Sequence, residues 1–236
     1  MRSIKDVGEQ LHSAERLRQV LMSLLSLLVV AIFATITFLV AGTWQLPFFW
    51  AVFAIQATIG LASVYLLDPD LLSERLRPRG KDEDPLARVI LSILWLLVLV
   101  FAALDVGRWH FSDHVPATIQ MIGVLLHGIG WVGFLWSMQV NRYFSSAIRL
   151  QPDRHQQVVT SGPYHWIRHP GYVFASLTLL SQSIALGSLI SMIPAMLIVA
   201  DLIYRTMLEE RMLIEGLSGY KEYAARVRFR WLPGIW

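Results

Sequence analysis

Apolar residues run along this chain in long blocks separated by short polar stretches. The first four blocks cover residues 20–41, 44–67, 88–106 and 117–140. Each is about as long as the roughly 20-residue helix needed to cross a hydrocarbon layer. Two shorter blocks, 173–186 and 189–203, meet at Gly187-Ser188. They read as a helical hairpin, either re-entrant or two spans lengthened by flanking residues, with both ends on one side. Ahead of the first block, Ile4, Val7, Leu11, Ala14, Leu17 and Leu21 recur at helical spacing, so residues 1–19 read as an amphipathic helix on a membrane surface. The first block is too long for the apolar part of a signal peptide and no A-x-A-like site follows, so it is expected to remain as a span. The expected fold is an all-α polytopic membrane bundle of four long spans plus a C-terminal helical hairpin. Residues 1–140 would hold the N-terminal helix and the four spans, and residues 141–236 the functional core.

The polar stretches carry the information about sidedness. Residues 68–87, DPDLLSERLRPRGKDEDPLA, read as a loop broken by Pro69, Pro78 and Pro85 and loaded with Arg75, Arg77, Arg79 and Lys81. Residues 107–116 read as a short polar loop with Trp109 and His110. Arg2, Lys5, Arg16 and Arg18, the 68–87 loop, the 141–172 segment and the tail fall on one side, against a single Arg108 on the other. That bias predicts both termini in the cytoplasm, N-in and C-in.

Composition agrees with the blocks: 55% of the 236 residues are hydrophobic, 16% are charged and the mean hydropathy is +0.52. The sequence pI near 9.4 is the same positive-inside bias spread over several segments, which removes the main support for nucleic-acid binding. The chain has no cysteine, which excludes disulfides, Cys-ligated zinc and a Cys nucleophile.

Chemistry concentrates in residues 160–172, TSGPYHWIRHPGY. Thirteen positions hold Tyr164, His165, Trp166, Arg168, His169 and Tyr172, stiffened by two prolines and turned at Gly162 and Gly171. An interfacial loop with aromatic anchors and inside-positive charge would share this composition. His127 lies inside the fourth block, on one face with Gly123 and Gly130. A neutral histidine bonded to a closely packed neighbouring helix is favoured there over an ion pathway. Asp201, Arg205 and Glu209 stand four apart on one helix face. They are either an interfacial salt-bridge ladder or an acid and a base delivered beside His169, and spacing does not choose.

GPYHWIRHPGY, an EER some forty residues later and GYKEYAARVRFRWLPG resemble the isoprenylcysteine carboxyl methyltransferase family. More broadly, they resemble the integral-membrane methyltransferases that include phospholipid N-methyltransferases. The resemblance covers residues 141–236 and extends weakly to DPDLLSERLRPRG. A lone RHP is a weak signal, whereas GPY, RHPxY, a hydrophobic hairpin and an EE pair in that order are specific. The resemblance implies an S-adenosylmethionine-dependent methyltransferase acting at the cytoplasmic face, in a bacterial inner membrane, on a lipophilic acceptor drawn from the bilayer. It implies no metal and no nucleic-acid partner.

By the same resemblance, cofactor binding falls on Gln156, Gln157, Val158, Val159, Tyr164, His169, Pro170, Gly171, Tyr172 and Glu209. Arg205 becomes the substrate contact, and Arg205 and Glu209 carry the catalytic assignment. The eukaryotic pattern has a histidine where this chain has Gln156, with His155 beside it. His169 and loop amides would meet the cofactor's carboxylate, and the tyrosine rings its sulfonium or adenine. Carboxylate O-methylation would need orientation by Arg205 rather than a base. N-methylation of a phospholipid would need a base such as Glu210 or His169. From other classes, a sterol-reductase-like oxidoreductase and a non-catalytic transport component remain as alternatives.

Overall fold

The computed structural model describes residues 4–80 and 82–236, with side chains from Ser13 onward. The expected pattern of Ile4, Val7 and Leu11 and the charges of Arg2, Lys5 and Lys81 lie outside the described side chains. Among the described residues the fold is all-helical. The helices are α1 (Ile4–Ala41), α2 (Pro47–Leu66), α3 (Pro69–Leu76), α4 (Pro85–Leu104), α5 (Ala117–Val140), α6 (Pro170–Ala185), α7 (Met192–Gly216) and α8 (Tyr220–Arg226). Four helical stretches are long and apolar enough to cross a membrane: Ser13–Ala41, Pro47–Leu66, Pro85–Trp109 and Ala117–Val140.

Two expectations need correction. The 68–87 stretch is not a plain loop, because it contains α3 and the start of α4. Pro69 and Pro85 open these helices at their first turn, where a missing N–H costs nothing. Asp68 and Asp84 cap them through the amides of Asp70 (2.7 Å) and Ala87 (3.2 Å). Nor does the polar loop begin at Gly107. The third span continues through a π-turn, Asp105–Trp109.

The bundle keeps apolar clusters inside but also exposes an apolar outer face and buries many polar side chains. Leu17, Leu21, Leu24, Leu28 and Ile32 of α1 are exposed, while Ser176, Thr178, Ser181, Gln182 and Ser183 of α6 are buried. In lipid there is little hydrophobic drive between helices, so small and polar residues make the contacts. The glycine face of α5 lies on α6 as expected. A Cβ at Gly123 would fall 2.4 Å from the backbone nitrogen of Ala185. His127 takes the structural role. Its Nε2 accepts from Trp131 Nε1 at 3.1 Å, so Nδ1 carries the hydrogen and donates to the Thr178 carbonyl at 3.0 Å.

This packing makes a prediction. A Cβ at Gly130 would fall 2.4 Å from Thr178 Oγ1 and 2.8 Å from the Thr178 backbone nitrogen, and backbone cannot yield cheaply. Gly130→Ala is expected to cost about 1–3 kcal/mol, read as a lower unfolding midpoint in detergent. At Gly128 the nearest atom is Ile55 Cδ1 at 3.8 Å, so Gly128→Ala should stay near wild type. Equal midpoints for both variants would contradict the close approach.

The α6–α7 hairpin reaches the far end of the bundle. There Ser188 Oγ donates to Asp105 Oδ2 (2.6 Å), and the Leu189 amide donates to Ser112 Oγ (2.9 Å). Asp105 is fully buried and also accepts from the amide (3.1 Å) and hydroxyl (2.6 Å) of Ser112. The hairpin turn is therefore level with the end of α4, which favours two extended arms over a shallow re-entrant loop. At the opposite end lie α3, the 141–169 segment, the polar end of α7 and the tail.

Candidate functional site

The polar end is built on α3. Glu74, fully buried, accepts from Ser145 Oγ (3.1 Å), Arg149 Nε (3.0 Å) and the amide of Arg79 (3.3 Å). Arg154 grips Asp70 through Nε (2.9 Å) and Nη2 (2.5 Å). The hydrogen bond from Arg154 holds the Asp70 carboxyl below its ordinary value. These ties fix the segment that follows α5. The Gln151 amide then donates to Gln156 Oε1 at 2.7 Å and sets residues 156–159 in place.

A short 3-10 turn, Gly162–His165, seats Tyr164 against the end of α5. Its hydroxyl lies 3.2 Å from Asn141 Nδ2 and donates to the Ser137 carbonyl at 3.4 Å. The tail straps the RHP element down. The amides of Arg168 and His169 donate to the carbonyls of Phe229 (3.0 Å) and Arg230 (2.9 Å). Arg168 Nη1 donates to the carbonyls of Val227 (2.7 Å) and Arg228 (2.9 Å). These two amides and the Arg168 guanidinium are thus committed within the protein, and His169 is the side chain of the RHP element left to face a ligand.

Glu210 ties the whole end together. Its oxygens accept from Arg168 Nε (2.8 Å) and Nη2 (2.7 Å), His169 Nε2 (3.0 Å), the Tyr220 hydroxyl (2.6 Å) and Arg230 Nε (3.3 Å). Burial pushes this carboxyl up, but the bonds from His169, Arg168 and Tyr220 outweigh it and hold it well below the usual range. Burial pushes the hydroxyls of Tyr164, Tyr220 and Tyr223 up, so all three stay protonated near neutrality. Glu209, one residue earlier and about 100° round the helix, faces another way. It accepts from the Tyr172 hydroxyl at 2.9 Å and lies 3.8 Å from His169 Nδ1. The rings of His169 and Tyr172 stack at 5.7 Å with 7° between planes.

One cleft collects Gln156, Gln157, Val158, Val159, Tyr164, His169, Gly171, Tyr172 and Glu209. Of the expected cofactor positions only Pro170, buried at the first turn of α6, stands outside its lining. Arg205 does not line it either. It is 3% exposed, with Nη2 on the Ser146 carbonyl (3.1 Å) and Nη1 3.8 Å from Asp84. The Asp201–Arg205–Glu209 ladder is therefore not formed, since Arg205 turns to other partners. His155 and His165 are exposed and outside the lining.

Several lining residues escaped the sequence reading, among them Asn141, Arg149, Tyr220 and Tyr223. The two tyrosines stand three apart in GYKEYAARV, a spacing that puts both on one helix face. No group of three metal-ligating side chains occurs among the described residues. The cleft offers a half-exposed carboxylate, guanidinium and amide donors, and aromatic rings. That donor set suits a ligand with an anionic end, a cationic centre and a flat ring system.

An apolar helical bundle with four helices long enough to cross a membrane is the architecture of an integral membrane protein, here with a polar cleft at one end. Residues 123–215 match the model of the isoprenylcysteine carboxyl methyltransferase (ICMT) family. That match and the four long apolar helices together support a membrane methyltransferase of the ICMT type. The match begins at Gly123, on the glycine face of α5, and ends within α7, before the tail that supplies Tyr220 and Tyr223. No curated protein matches the chain.

Proposed function

We propose that the cleft binds S-adenosylmethionine and that its methyl group passes to a lipophilic acceptor taken from the bilayer, by carboxylate O-methylation at the cytoplasmic face. The observation that carries this reading is the convergence, on one cleft, of nine positions that the family resemblance assigns to the cofactor. Bound there, the cofactor supplies a sulfonium methyl: an acceptor O–C bond forms in line as the S–C bond breaks, and sulfur keeps the electron pair. Glu209 would oppose a cationic group of the cofactor, and the rings of Tyr164 and Tyr172 would favour its sulfonium. His169 offers Nδ1, because Nε2 is already donated to Glu210. The enclosing walls keep water away from a reaction whose charge disperses.

Glu210 also bears on the acceptor. An amine would need a base, yet Glu210 is held by four side chains and is absent from the cleft lining. That leaves His169 Nδ1 and Glu209 as the bases an amine could use, whereas a carboxylate is already ionised and needs none, which is the simpler demand on this cleft. The test incubates purified protein with isotope-labelled S-adenosylmethionine and a membrane lipid extract, and reads the product by mass spectrometry. A methyl ester is expected. A methylated amine would move the acceptor to the phospholipid class, and no labelled lipid would remove the reading.

The cytoplasmic placement rests on the charge bias and has its own test. The chain lacks cysteine, so single cysteines report cleanly. Ser218 lies at the cleft end and Asp113 at the other, both exposed. In intact cells, Asp113→Cys should react with an impermeant maleimide and Ser218→Cys should not. The reverse pattern would put the cleft on the outer face.

A further inference from the structure

Arg75 stands apart from the other cations at the polar end. Its guanidinium carbon lies 5.4 Å from the ring centre of Phe134 and 5.1 Å from that of Phe144. Among the described residues no carboxylate lies within ion-pair distance of it, although neighbouring Glu74 and Asp70 are both paired. Arg77 and Arg79 of the same stretch are exposed and solvated, whereas Arg75 is half-buried. Burial without a counter-charge draws it down from 12.5 to about 10, so it remains a cation at neutral pH.

Its position is fixed from both sides. Ser146 Oγ donates to the Arg75 carbonyl at 3.0 Å, and the Ser146 carbonyl accepts from Arg205 at 3.1 Å. Phe134 belongs to α5, a membrane-crossing helix whose Val132 and Trp136 are exposed to lipid. Phe144 lines the cleft. Arg75 therefore stands behind Phe144, just outside the cleft lining, and within electrostatic reach of Tyr164 and Tyr172. An unpaired, partly desolvated guanidinium flanked by aromatic rings is a site for an anionic headgroup on an apolar chain.

We propose that Arg75 is the anion contact of the methyl acceptor, binding the carboxylate of a lipophilic substrate as it passes from the bilayer to the cleft. The assignment rests on the methyl-transfer reading and makes Arg75 a specificity residue of that site. One carboxylate oxygen engages the guanidinium and the other is left for transfer. Arg205, enclosed by Ser146 and Asp84, then supports the wall beside Tyr172.

The test uses the full chain in phosphatidylcholine nanodiscs and two probes with the same tail: N-acetyl-S-farnesylcysteine and its carboxamide. Wild type should bind the acid at least about tenfold more tightly, as expected for a charge-assisted hydrogen bond. Arg75→Gln should abolish that preference while leaving S-adenosylmethionine affinity unchanged, and Arg75→Lys should retain part of it. No preference in wild type, or the same preference in Arg75→Gln, overturns the assignment. If Arg75→Gln also loses the cofactor, Arg75→Lys decides. Retained preference supports the assignment, and lost preference with intact cofactor binding overturns it. Acid preference in a protein that does not bind S-adenosylmethionine would instead count against the cofactor reading alone.

Discussion

Glu210→Ala should destabilise the protein by about 3–5 kcal/mol, the range for removing one partner of a buried ionic network. Glu210 is 3% exposed and receives bonds from α6's leading element, α8 and the tail at once. Without it, Arg168 keeps only the carbonyls of Val227 and Arg228, and the tail that encloses the cleft loses its anchor. The unfolding midpoint in detergent and the affinity for S-adenosylmethionine should fall together. Glu210→Gln preserves shape but not charge, and should lose less. The linkage has a definite sign. The folded carboxyl titrates below its ordinary value of 4.5, so its stabilisation is complete above about that pH and fades as pH falls further. Wild type should lose stability on acidification below pH 4.5, and Glu210→Gln should lose less of it over the same interval. An Ala variant as stable as wild type would show that Arg168 and the tail are held by other contacts.

His169→Ala should weaken cofactor binding by about tenfold or more, the worth of one charge-assisted hydrogen bond. His169 lines the cleft, stacks on Tyr172 and bonds Glu210 at 3.0 Å. His165, four residues earlier, is exposed and outside the cleft, so His165→Ala should be nearly silent. Calorimetry on both variants separates a cofactor site from an interfacial anchor. Equal losses, or no loss for His169, would favour the anchor.

The four spans were legible because a membrane demands long apolar helices, and the hydropathy blocks report that demand directly. The glycine face of α5 and the bonded state of His127 were legible for the same reason: small residues and a lone histidine in an apolar helix have few other uses. α3 was missed because Pro69 reads as a breaker on a chain and as a first-turn residue in a helix. Within the site, RHP and EE announced themselves by type and order. The division of labour between Glu209 and Glu210 did not, since it depends on which of two neighbours meets Arg168, some forty residues away. Spacing suggested an Arg205–Glu209 pair, but the 141–156 segment brings the Ser146 carbonyl to Arg205, and no periodicity within α7 could have shown it. Arg75 looked like one more charge in a basic loop until Phe134 and Phe144 closed on it.

The central claim is that this cleft binds S-adenosylmethionine, with Glu209 as a direct contact. Calorimetric titration of detergent-purified wild type and Glu209→Gln with S-adenosylmethionine, and in parallel with NADPH, tests it most directly. Saturable binding of S-adenosylmethionine alone, weakened in Glu209→Gln, is the predicted result. Binding of NADPH in its place, or an affinity for S-adenosylmethionine indifferent to Glu209, would contradict it.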